Sequence, residues 1–188
     1  MKKALALALV AGLGSVAAAQ PTTVYDFGTV NGMESYTGSH TASGQVIWVS
    51  IDLSGGETYL DITSNGTVFD TEIGLYRADG TLVTSNDDDG ISLQSTLSFG
   101  TGSGLLLGDS WNLGGNGLAE GENGAMPGAG HYYLALSRYN TTFGATGFDV
   151  TSTGTAGGAY TITVYSNIPA PASLALLGLG GLVARRRR

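Results

Sequence analysis

The sequence predicts an all-β protein: an antiparallel β-sandwich, jelly-roll-like, flanked by an N-terminal signal peptide and a short C-terminal hydrophobic helix. Three observations carry this. Between residues 20 and 167, short runs alternate apolar and polar residues with period two, and no stretch repeats at helical spacing. Gly, Thr and Ser are abundant while Lys is almost absent, a balance that favours strands and turns. The chain has no cysteine, so no disulfide holds the body, and a chain of this size can bury about two-thirds of its surface in one core.

Taken in order, residues 24–27 (V-Y-D-F) predict a short strand, and Asn31-Gly32 a turn after it. Residues 46–53 (V-I-W-V-S-I-D-L) place Ile47, Val49, Ile51 and Leu53 on one face and Trp48, Ser50 and Asp52 on the other. Ser54-Gly55-Gly56-Glu57 then reads as a turn into a strand over 58–63, with Leu60 and Ile62 inward, so that the two strands form a hairpin. Residues 73–77 and 81–84 predict a second hairpin about Ala78-Asp79-Gly80. An acidic loop follows, Asn86-Asp87-Asp88-Asp89-Gly90, and residues 92–99 resume alternation with Leu93, Leu97 and Phe99 inward. Pattern fails between 100 and 130, where eleven of thirty-one residues are glycine. A structureless insertion of that length is unusual in a compact domain; Leu105, Leu107 and Trp111 are expected to pin it down. Strands return over 131–137, with Tyr132, Leu134 and Leu136 on one face, and over 159–165, with Tyr160, Ile162 and Val164 inward. About seven strands without helices make a sandwich.

The two ends carry a different signal. Met1-Lys2-Lys3 and the apolar residues 4–16 precede Ala17-Ala18-Ala19, an A-x-A cleavage site before Gln20. At the other end Pro169-Ala170-Pro171 opens an apolar run of about 13 residues, shorter than the roughly 20 that cross a bilayer as a helix. Arg185, Arg186, Arg187 and Arg188 close it, a block that belongs on the cytoplasmic side. The organisation is therefore a signal peptide over 1–19, a β-sandwich domain over 20–167 and an anchor or sorting segment over 168–188. Six of the eight basic residues lie in the two end segments. Arg77 and Arg138 remain against all fifteen acids, which leaves the body at −13 where the whole chain is −7. Such a body repels nucleic acid and attracts cations or basic partners.

The order of proline-containing tripeptide, short apolar stretch and terminal arginine cluster resembles the PEP-CTERM sorting signal of exported bacterial proteins. Ala170 stands where that signal carries an acid. The resemblance implies transient membrane anchoring, processing by a signal peptidase and an exosortase-type enzyme, and delivery to the cell surface or extracellular matrix. Within the body, D-T-E-I-G-L-Y-R-A-D-G-T-L-V-T-S-N-D-D-D-G from Asp70, G-H-Y-Y-L-A-L about His131 and G-A-Y-T-I-T-V about Tyr160 together resemble the bacterial pre-peptidase C-terminal domain. That resemblance implies a non-catalytic accessory sandwich of secreted proteins, calcium- or matrix-binding in some relatives.

Candidate chemistry is sparse. Asp87, Asp88 and Asp89, joined by Asp70 and Glu72, offer the hard oxygen ligands that calcium takes. The same run is equally a solvated turn, since Asx side chains bond their own backbone. Trp48 and Trp111 are candidate sugar-stacking rings, which would make the chain a calcium-assisted binder of an extracellular polysaccharide or matrix protein; core packing is the alternative for both. His40 and His131 are the only histidines, and no G-x-S-x-G elbow accompanies them. No catalytic residue is assigned and the chain is expected not to be an enzyme.

Overall fold

The computed structural model describes residues 18–103 and 120–168. Every regular element among them is a β-strand, and no helix there is long and apolar enough to cross a membrane. The strands are β1 (Tyr25–Thr29), β2 (Gly32–His40), β3 (Ile47–Leu53), β4 (Tyr59–Thr63), β5 (Thr71–Arg77), β6 (Leu82–Asn86), β7 (Thr96–Gly100), β8 (Gly130–Arg138), β9 (Thr141–Phe143), β10 (Val150–Ser152) and β11 (Gly158–Ser166).

They form a five-stranded sheet in the order β1-β3-β8-β5-β6, a four-stranded sheet in the order β2-β11-β4-β7, and the small hairpin β10-β9. The expected sandwich is present, with one exception to its antiparallel character: β1 runs parallel to β3. The expected faces hold. Ile47, Val49, Ile51 and Leu53 meet Leu60, Ile62, Leu97, Phe99, Tyr160, Ile162 and Val164 in one core between the sheets. Period-two alternation places such residues on one face, and burial of each is worth about 1.5–3 kcal/mol.

Three expectations fail. β3 and β4 are not a hairpin: β3 pairs with β1 and β8, and β4 with β11 and β7, so the Ser54–Glu57 loop carries the chain between sheets. The buried Glu57 fixes that corner. Its carboxylate accepts from the Ser54 and Gly55 amides at 2.7 and 2.8 Å and from the Ser54 hydroxyl at 2.7 Å. The second failure is β2, nine residues that pair along their whole length with β11 in a stretch where the sequence predicts only a turn at Asn31-Gly32. Its inward positions include Gly38, so the alternation that announces a half-buried strand is missing. A Cβ at Gly38 would lie 2.4 Å from the Tyr160 hydroxyl, and glycine there lets the tyrosine ring lie over the strand. Residue 93 is also less buried than expected, because regular pairing in β7 begins only at Thr96.

The outer face of the five-stranded sheet is covered as well. Tyr76, Tyr133 and Ala135 are buried with Phe148, and Trp48, Phe143 and Val150 pack against them. The β9-β10 hairpin and its connecting loop thus add a third layer. Gly74 makes room for it, since a Cβ there would lie 2.4 Å from the Phe143 ring.

Candidate divalent-cation site

The acidic loop joins β6 to β7 and crosses between the sheets at one edge of the sandwich. Buried hydroxyls tie it down. Ser95 Oγ lies within hydrogen-bond distance of the carbonyls of Thr71 and Asp87, its one proton going to either, while the Ser95 amide is held by Ser64 Oγ at 2.9 Å and Thr71 Oγ1 at 3.1 Å. Ser64, Thr71 and Ser95 are fully buried. Asn86 sets the loop's entrance: its Oδ1 accepts from the amides of Thr96 at 2.9 Å and Asp89 at 3.2 Å, and its Nδ2 donates to Asp89 Oδ2. Beyond the acids, Gly90 N–H donates to the Gln94 carbonyl at 2.6 Å and Ile91 N–H to Asn65 Oδ1 at 2.7 Å.

This anchoring brings Asp87 and Asp88 to Asp70, which immediately precedes β5. One carboxylate oxygen from each of Asp70, Asp87 and Asp88 lies within 4.8 Å of the other two. Asp70 Oδ1 and Asp88 Oδ1 are buried atoms without a hydrogen-bond partner among the described residues. Unpaired buried oxygens are costly unless something neutralises them. Glu72 sits beside this group on β5, 5% exposed, with its Oε2 accepting from the Thr141 amide at the start of β9. A shallow cavity of about 250 Å³ lies there, lined by Glu72, Ser85, Asn86, Asp87, Thr141 and Phe143.

Desolvation and mutual repulsion raise the carboxyl groups of the cluster. Burial, then the charge of Asp87, push the Glu72 carboxyl up to about 7 despite the Thr141 bond. Asp87 is exposed overall, yet partial desolvation of its carboxyl, followed by the charges of Asp88, Asp70 and Asp89, push it to about 6. Desolvation raises Asp70, as does Asp88, against a smaller opposing effect of Arg138; desolvation and then Asp89 raise Asp88. Carboxylates crowded in this way repel one another, and each holds its proton more tightly than an isolated carboxyl does.

Of the five residues expected to ligate a metal, three converge, Glu72 flanks them, and Asp89 is turned toward Asn86. Trp48 is half-buried, its ring 5.6 Å from that of Tyr76 and 5.9 Å from that of Phe148, so it packs beneath the third layer. Trp111 and the rest of 104–119, the sorting residues Pro169, Ala170, Pro171 and Arg185 to Arg188, and Ala17 of the cleavage site lie outside the described residues. Ala19 and Gln20 are exposed and precede the first strand. His40 is buried, its Nε2 2.9 Å from the Gln45 carbonyl and its Nδ1 accepting from Gly157 N–H, and His131 Nδ1 lies 2.7 Å from Asp52 Oδ1. Sequence reasoning missed Asn86, Thr141 and the Ser64-Thr71-Ser95 knot. Asn86 heads an Asx-rich turn and was legible as a local backbone ligand; the other four are separated in sequence and meet only in the fold.

Fold and site together define an acidic, two-sheet β-sandwich with a cluster of carboxylates at one edge. No protein-family model matches the chain. No curated protein matches it either. Among solved structures, the pre-peptidase C-terminal domain of a collagenase from Bacillus anthracis is similar at 11% identity, over 78% of this chain and 99% of that one, with a TM-score of 0.42. CorA, a surface-associated copper-binding protein important in copper acquisition by Methylomicrobium album BG8, is similar at 12% identity, over 77% of this chain and 98% of that one, with a TM-score of 0.32.

Proposed function

We propose that this chain is an exported, non-catalytic accessory sandwich of the cell surface or extracellular matrix, held in its working form by calcium. The observation that carries the reading is the convergence of Asp70, Asp87 and Asp88 from two separate segments, two of them with buried, unpartnered oxygens. Calcium fits the donor set because it accepts six to eight oxygens in flexible geometry. The three carboxylates would hold it, Glu72 would complete or tune the site, and water would supply the remaining ligands. Neutralising the cluster favours the ionised carboxylates and locks the β6-β7 loop to the start of β5.

The ends of the sequence support export. A leader ending at Ala17-Ala18-Ala19 would be removed by a signal peptidase, and an exosortase-type enzyme would act near Pro169-Ala170-Pro171 after the apolar segment and Arg185 to Arg188 stall in the membrane. An extracellular polysaccharide or matrix protein is the partner that an acidic, surface-displayed sandwich would meet.

Calcium titration of the purified chain, followed by thermal unfolding, tests the site. Millimolar calcium should raise Tm, and Asp88→Asn should remove most of that rise. A wild-type Tm indifferent to calcium overturns the cation reading. Sorting has its own measurement, the intact mass of the mature protein from its host. Loss of the residues beyond about Pro171 is expected, whereas Arg188 retained in a membrane fraction overturns processing.

A further inference from the structure

The two sheets present four edges, and three of them are blunted. β1 is five residues long, and its register against β3 is broken between Asp26 and Thr29, with Gly28 at φ +57° donating its amide to Asp26 Oδ1. β6 is capped where Leu82 N–H donates to the Ala145 carbonyl at 3.0 Å. β7 is covered by residues 121–124: Asn123 N–H donates to the Ser98 carbonyl at 2.8 Å, and Gly100 N–H to the Gly124 carbonyl at 2.9 Å.

β2 has none of these devices. It is nine residues long, pairs with β11 in unbroken register, and has no second strand neighbour among the described residues. It contains no proline and no lysine, the residues that commonly protect an edge. Met33, Glu34, Ser35, Thr37 and Ser39 are all exposed, Met33 at 59%. The edge therefore offers about 30 Å of unpaired backbone at the usual rise per residue. Tyr36 stacks on Tyr25 with ring centroids 4.5 Å apart, so β2 is held beside β1 on the side of the sandwich away from the acidic loop.

We propose that β2 is the interface through which two copies of this chain pair, edge to edge and antiparallel, about a two-fold axis at Tyr36. The sequence of β2 is self-complementary in that register. Tyr36 meets its own copy, Ser35 lies opposite Thr37, Glu34 opposite Gly38 and Met33 opposite Ser39. The strand's single acid thus faces a glycine, and no like charges oppose one another. Residues at equal distances from the axis also share a face, so the inward side of β2 stays inward in both copies. The result joins two four-stranded sheets into one of eight strands, through an isologous contact that closes on itself. The inference is independent of the cation site, which lies at the opposite edge.

Sedimentation velocity on the full chain across micromolar to submillimolar concentration tests it. A reversible monomer–dimer equilibrium is expected, and added sodium chloride should strengthen it, because two bodies of high negative charge repel until screened. Ser35→Glu with Thr37→Glu sets like charges across both symmetry-related pairs and should weaken dimerisation at least tenfold. Ser35→Lys with Thr37→Glu sets opposite charges there and should restore it to within a few-fold of wild type. Hydrogen exchange on the unaltered chain gives a readout free of any folding defect, since β2 amides should gain protection as concentration rises. A chain monomeric throughout, a dimer indifferent to the double glutamate variant, a charge-swapped variant as weak as the double glutamate, or β2 exchange independent of concentration overturns the proposal.

Discussion

Raising the pH of the metal-free protein from about 4.5 to 7.5 should destabilise it, the reverse of the usual acid sensitivity of carboxylate-rich proteins. The sign follows from linkage. A carboxyl whose folded pKa is raised binds its proton more tightly in the native state, so its contribution is fully present below the unfolded pKa and is lost as pH rises through the folded value. Glu72 moves from an ordinary 4.5 to about 7, and Asp87 from 3.8 to about 6, while Asp61, Asp70 and Asp88 shift the same way. For Glu72, 5% exposed, that displacement corresponds to roughly 3 kcal/mol at about 1.4 kcal/mol per unit. Asp87 is too exposed for its shift to be converted in the same way. In a domain of this size roughly 3 kcal/mol is on the order of 6–12 °C in Tm. Asp26 and Glu57 shift downward, Asp26 through the Gly28 amide and Glu57 because its Ser54 and Gly55 bonds outweigh its burial. Their stabilisation is present above the ordinary carboxylate range and is lost only as pH falls below it. The metal-free protein should thus be most stable near pH 4.5–5. Calcium at about a hundred times its dissociation constant contributes roughly 2.7 kcal/mol, enough to offset most of the loss at pH 7.5. Differential scanning calorimetry at pH 5 and 7.5, in chelator and in calcium, decides the matter. A metal-free Tm flat or rising between those pH values refutes the electrostatic reasoning. A calcium effect as large at pH 4.5 as at pH 7.5 refutes the link to these carboxylates.

Three further outcomes are expected. Glu72→Gln should keep the shape of the site while removing the largest titration, so the metal-free variant should be more stable than wild type at pH 7.5 and nearly equal to it at pH 4.5 by urea unfolding. Gly74→Ala drives a methyl into the Phe143 ring and should destabilise by about 1–3 kcal/mol, with faster exchange of the β9-β10 amides. Phe148→Ala should cost about 3–5 kcal/mol, since Phe148 closes the aromatic layer over Trp48, Tyr76 and Tyr133, and Trp48 emission should move to the red as water reaches the indole.

Alternation alone made β3, β8 and β11 legible, because each buries one face against the opposite sheet and period two cannot be satisfied by a helix. The β5-β6 hairpin was equally readable, since Ala78-Asp79-Gly80 is a tight turn between two apolar runs and the two strands pair as neighbours. β2 was not. Its inner positions carry Tyr36, Gly38 and His40 among polar residues, and it is a strand because β11 pairs with it, which no local window contains. The β3-β4 corner failed for a related reason. A four-residue loop suits a hairpin and a sheet crossing alike, and the bonds to Glu57 that select the crossing depend on where β4 finds its partners.

The candidate site divides along the same line. The run Asp87-Asp88-Asp89, with Asp70 and Glu72 nearby in the chain, named five carboxylates, three of which the fold gathers. The sequence by itself also determined the acidity of the body, the absence of cysteine and the character of the two ends, because these are properties of composition and order. Only the tertiary structure decided that Asp70, Asp87 and Asp88 converge while Asp89 turns to Asn86, and that Trp48 lies under a third layer. It likewise decided that β2 keeps a long, unbroken open edge among the described residues. Convergence depends on the path of the β6-β7 loop between two sheets, fixed by Ser95 and its buried partners from distant segments. Pairing and burial are properties of the folded chain as a whole, and no stretch of residues carries them alone.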